Sequence, residues 1–82
     1  MHVEDKSIAM RARHAIAKSS LDISELTLSG RRGCIELSGR VKRPRNHTGG
    51  LNVKKEFEVL VELVRHSPGV REVISERVLL IE

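Results

Sequence analysis

The chain has 82 residues, 39% apolar and 32% charged, with a formal net charge of +4. That is a globular mixture of one domain's length, with a thin core and roughly 5,000 Å² of surface expected when folded. No apolar run reaches the roughly 18 residues of a membrane helix, and the lone cysteine, Cys34, excludes an internal disulfide framework. Met1 to Lys6 carries no apolar signal stretch, so the expectation is a cytoplasmic protein, or a domain cut from a longer one.

Residues 5–19 read as a helix with Asp5 as N-cap. Ile8, Ala12, Ala15 and Ile16 have the spacing of one buried face; Arg11, Arg13, His14 and Lys18 occupy the other, with Met10 among them. Ser24 to Ser29 reads as a strand, Leu26 and Leu28 alternating with Glu25, Thr27 and Ser29. Gly30-Arg31-Arg32-Gly33 supplies a hairpin turn. Cys34 to Val41 is the next strand. Ile35, Leu37, Gly39 and Val41 share one face, and Cys34, Glu36, Ser38 and Arg40 share the other, the pattern of a sheet covered on one side.

Lys42 to Asn52, with Pro44, Gly49 and Gly50, reads as a long loop. Val53 to His66 reads as a second helix on Val53, Phe57, Leu60, Val61 and Val64. Val59 and Leu63 widen its apolar arc, as for a helix touching both a sheet and the first helix. Phe57, Val59, Val61 and Leu63 also alternate as a strand would, but the stretch between Gly50 and Pro68 is too long for an ordinary strand. Ser67-Pro68-Gly69 ends the helix. The last strand lies within Val73 to Ile81. Its alternation slips at Arg77-Val78, and Val78-Leu79-Leu80-Ile81 is apolar on both faces.

These elements predict a single α+β domain over 1–82, with its core in 5–81 and a long basic loop at 42–52. The order is α-β-β-α-β, with two helices packed on one face of a three-stranded mixed sheet. The expected core is Ile8, Ala12, Ile16, Leu28, Ile35, Leu37, Phe57, Leu60, Val61, Val64 and Val70.

Charge is uneven. Between Arg31 and Lys55 lie eight basic residues and one acidic residue, Glu36. Arg40, Lys42, Arg43, Arg45, His47, Lys54 and Lys55 are expected to form one positive surface at the mouth of the loop. Gly49 and Gly50 would let the loop fold back toward the second helix. Such a surface favours anionic partners, a lipid headgroup layer or an acidic protein; the plainer reading is a solvated loop. Phe57 is the only aromatic residue, which argues against base stacking and against aromatic membrane anchoring. A sequence-blind nucleic-acid binder using Arg31, Arg32 and the Arg40–Lys55 segment is the alternative. A third reading is an assembly protein, a homodimer joined through the open sheet face or the last strand.

Nothing in the spacing points to catalysis. His2, His14, His47 and His66 make no metal-ligand pattern, and the glycines make no nucleotide-binding one. No enzyme activity, cofactor or metal is expected, and Cys34 is read as a tolerated thiol.

Two stretches carry a family likeness. Ile35-Glu36-Leu37-Ser38-Gly39-Arg40-Val41 follows V-x-L-x-G-x-V with Ile for Val, and Gly69-Val70-Arg71-Glu72-Val73 follows G-V-x-x-V. Asp22 to Leu28 fits the strand before the first motif. In this order, over residues 5–81, the chain resembles the BON domain, a small module of bacterial proteins whose members are often exported. The resemblance implies a non-enzymatic module attached to phospholipid membranes. In it Gly39 would allow close helix approach or a strand twist, and Gly69 would stop the helix at positive φ.

Overall fold

A computed structural model describes residues 3–44 and 50–81, with side chains from Lys6 onward. The elements are α1 (Val3–Ala15), β1 (Leu26–Arg31), β2 (Cys34–Lys42), α2 (Val53–Arg65) and β3 (Glu72–Ile81). The sheet order is β1-β2-β3; β1 pairs antiparallel with β2, and β2 pairs parallel with β3. This is an α+β fold, two helices with a three-stranded mixed sheet.

Local chemistry accounts for the shifted boundaries. The backbone is already helical at Val3, so Asp5 lies inside the first turn of α1 and is not its N-cap. α1 ends at Ala15 because the chain tightens there: Ala17 N–H bonds His14 O at 3.2 Å and Ser19 N–H bonds Ile16 O at 3.0 Å, both of the shorter i→i+3 kind. β1 begins two residues late because Asp22 Oδ1 accepts the Ser24 N–H at 3.0 Å and the Ser24 hydroxyl at 2.7 Å, a local turn that competes with the ladder. It ends two residues late because the hairpin loop is only Arg32-Gly33, both at positive φ.

Both helices rest on the sheet face that carries Leu26, Ile35, Leu37 and Val41. Ile8 and Ala12 come from α1 and Ile16 from the turn just past it, and Val53, Phe57, Leu60 and Val64 come from α2. Leu21, Leu26, Val41 and Val53 complete this core beyond the expected set, while Leu28, Val61 and Val70 pack against it half-buried. Arg13 crosses from α1 to donate to the Leu26 carbonyl at 2.8 Å. The widened arc of α2 is not buried: Val59 and Leu63 are 52% and 45% exposed, and Ala15 of α1 is exposed too. α2 touches both the sheet and α1, but through its narrower stripe.

The slip in the last strand is a β-bulge. Glu36 faces Ile74 and Ser38 faces Arg77, so Ser75 and Glu76 both stand opposite Leu37. Before the bulge Val73 turns to the helices; after it Val78 and Leu80 do, all three packing on the core. Ile74, Arg77, Leu79 and Ile81 pair with β2's outward residues and fall on the open face. Leu79 is 60% exposed there.

Gly69 has the positive φ expected of it, +90°, but it does not stop α2: the helix is capped at His66, and Gly69 lies in the turn after it, which the Val70 N–H closes onto the Ser67 carbonyl at 3.1 Å. Gly39 has φ +105°, and a Cβ there would overlap the Glu25 carbonyl oxygen. The close approach at Gly39 is therefore to the backbone leading into β1, not to a helix. Gly39→Ala is expected to cost about 3 kcal/mol through combined overlap and strain. Gly50→Ala, with open space around its Cβ, is expected to stay within about 0.5 kcal/mol. Urea unfolding of the two variants checks the contrast.

Candidate functional site

The basic residues of the 31–55 segment reach the surface from two elements. Arg40 and Lys42 stand on the open face of β2 near its end, and Lys54 and Lys55 stand exposed in the first turn of α2. Arg43 joins these regions: its Nη2 donates to the Leu51 carbonyl at 3.0 Å, fastening the residue after β2 to the approach of α2. Asn52 then caps α2, its Oδ1 accepting the Lys55 N–H at 3.0 Å. The chain thus doubles back, and the end of β2 and the start of α2 share one end of the molecule. Arg45, His47 and Gly49 lie outside the described residues.

The segment's excess of positive charge is compensated in part from outside it. Glu25, outside the basic segment in sequence, is carried beside it by the strand pairing. Arg40 N–H bonds the Glu25 carbonyl at 3.1 Å, and Asp22 and Lys42 exchange backbone bonds of 2.9 and 3.1 Å. One Glu25 oxygen pairs with Lys42 Nζ, and the other lies 4.0 Å from Arg40 Nε. Lys42's hydrogen bond, with the Lys42 and Arg40 charges, holds the Glu25 carboxyl below its usual value of 4.5, against a smaller upward push from burial. Lys54 and Lys55 differ: among the described residues neither ammonium has a carboxylate within 4.0 Å. The positive surface is therefore graded, matched on the sheet side and unmatched on the helix side.

Glu25, the Leu51 carbonyl and Asn52 were not anticipated as parts of this end. Asn52 carried a signal, an Asn directly before the helical run. Glu25 carried none, because its position depends on cross-strand register.

The remaining reactive side chains are dispersed. Cys34, half-buried at the head of β2, has its thiol pushed above the ordinary 9.0, first by burial and then by the Glu72 and Glu36 carboxylates. His14 and His66 are exposed, and His66 Nδ1 lies 2.8 Å from the Glu62 carbonyl. Among the described residues no three His, Cys, Asp or Glu side chains come together as metal ligands. A groove of about 620 Å³ separates the helices, with Met10, Leu63 and Pro68 on its walls. Ser67 lines it too, buried and with its hydroxyl unpartnered.

Among the described residues no helix is long and apolar enough to cross a membrane. No protein-family model, curated protein or solved structure gives a significant match to the chain.

Two titrations follow from this geometry. A carboxyl lowered by its partners contributes stability above its unfolded value and loses it as pH falls through the folded one. The melting-temperature gap between the wild type and Glu25→Gln should be constant at neutral pH and close as pH drops from 4.5 through Glu25's own lower value. Cys34, held as a thiol, should be alkylated by iodoacetamide more slowly at neutral pH than an unstructured cysteine, with its thiolate absorbance rising at higher pH than that of the unfolded chain.

Proposed function

We propose that the protein is a non-enzymatic binding module that associates with anionic phospholipid surfaces through the end bearing Lys54 and Lys55. The observation that carries this reading is the Arg43–Leu51 hydrogen bond, which gathers the basic residues around β2 and α2 at one end. The unmatched ammonium groups of Lys54 and Lys55 supply its attraction, and Arg43 stands between them and the sheet. Arg40 and Lys42 contribute less, because Glu25 already answers their charge. With Phe57 buried in the core, no aromatic ring is left to insert into a bilayer, so the attraction is electrostatic, weak and salt-sensitive. The resemblance to the BON domain favours phospholipid over nucleic acid.

Each basic group near an anionic membrane contributes about 1 kcal/mol. Lys54→Gln with Lys55→Gln should then weaken binding to phosphatidylserine vesicles about 30-fold at low salt. Arg40→Gln with Lys42→Gln should have a smaller effect. Vesicle co-sedimentation across a salt series reads both. Wild-type protein that ignores anionic vesicles, or binds neutral ones equally well, overturns the proposal. Tighter binding to duplex DNA replaces it with the nucleic-acid reading.

A further inference from the structure

We propose that the furrow between α1 and α2 is a docking site for an acidic amphipathic helix of a partner protein. This goes beyond the anionic-surface reading and uses different residues. The two helices lie side by side in opposite directions. A Cβ at Gly69, just past the end of α2, would meet the Ile8 side chain of α1 at 3.0 Å. Ser20, just past the end of α1, donates to Glu56 in the first turn of α2 at 3.4 Å. Between them open grooves of about 620 and 280 Å³, which share Ala15 and Leu63 and so form one furrow. α2 rises about 14 Å from Glu56 to Arg65, room for two to three turns of another helix.

The exposed apolar side chains of the helices gather there. Met10, Val59 and Leu63 are the large apolar residues that the described parts of α1 and α2 leave exposed, and all three line the furrow. Val59 and Leu63 stand one turn apart on α2, the spacing at which an apolar stripe of a further helix interlocks. This is the part of the α2 arc that periodicity marks as apolar and that α1 does not cover.

Charge along the furrow selects the occupant. Arg11, His14 and His66 line the larger half and Lys18 the smaller. Among the described residues neither Arg11 nor Lys18 has a carboxylate within 4.0 Å. No described carboxylate lines the larger half, and Glu56, in the smaller half, is engaged by the Ser20 hydroxyl. The Ser67 hydroxyl, buried and without a partner among the described residues, leaves one more donor at the wall. Cations strung along both halves match an acidic stripe running the length of a helix; an amphiphile with a single head would need them gathered at one end. A second copy would bring its own Arg11, His14 and Lys18 into the interface and set like charges together. An apolar stripe flanked by Asp or Glu answers both the exposed side chains and the charge.

The probe is a labelled peptide of about 14 residues, long enough to span the furrow. It carries a leucine stripe flanked by glutamates and a hydrocarbon staple on its far side to hold it helical; the control peptide has lysines in place of the glutamates. By fluorescence anisotropy at low salt the wild type should bind the glutamate peptide at least about tenfold more tightly than the control. Amide shifts should move at Ala15, Val59 and Leu63, away from Lys54 and Lys55. Val59→Ser with Leu63→Ser should weaken binding about tenfold. Arg11→Glu with Lys18→Glu should make the lysine peptide the tighter binder, and Arg11→Gln with Lys18→Gln should fall between. Circular dichroism confirms that each variant is folded. Wild-type protein that ignores the glutamate peptide, or binds both peptides equally, overturns the proposal. So does binding that neither pair of substitutions weakens, or shifts confined to Lys54 and Lys55. Uptake of laurate, or self-association abolished by Val59→Ser with Leu63→Ser, in the absence of peptide binding gives the furrow to an amphiphile or a second copy and overturns it equally.

Discussion

Among the described residues β2 is the one strand paired along both edges, and its Ile35, Leu37 and Val41, each 0% exposed, form the floor on which both helices rest. Because the helices cover a single face, a slip of one residue in either neighbouring strand would carry that strand's apolar set to solvent. Both registers are therefore constrained by β2. On one side Leu37 faces Leu28 of β1, and Gly39 lets the Glu25 carbonyl approach too closely for any side chain. On the other side Leu37 faces two residues of β3 at once.

That second pairing determines the character of β3. Without the bulge, the inward phase set by Val73 would continue through Ser75 to Arg77 and Leu79, placing a guanidinium against the core. With it, Arg77 turns outward and Val78 and Leu80 take the inward positions. Burying an unpaired guanidinium would cost far more than the ladder bonds disturbed by one extra residue. The apolar run Val78–Ile81 is the visible consequence: inward and outward positions are both apolar, and the outward Leu79 and Ile81 are exposed, with none of the described helices on the open face.

Much of the fold was legible because it is written in periodicity. Phe57, Leu60 and Val64 recur at helical spacing, and Ile35, Leu37 and Val41 alternate; all six are buried where that pattern puts them. Periodicity is silent about partners. Val59 and Leu63 look like core on a helical wheel, but α1 and the turn after it bury Ile8, Ala12 and Ile16, and Val59 and Leu63 stay exposed. Asp22 and Ser24 shorten β1 by a side-chain turn that strand propensity does not anticipate. The basic end was half legible for the same reason. Lys54 and Lys55 stand out in the chain, whereas Glu25's pairing with Arg40 and Lys42 arises only once strands β1 and β2 are in register.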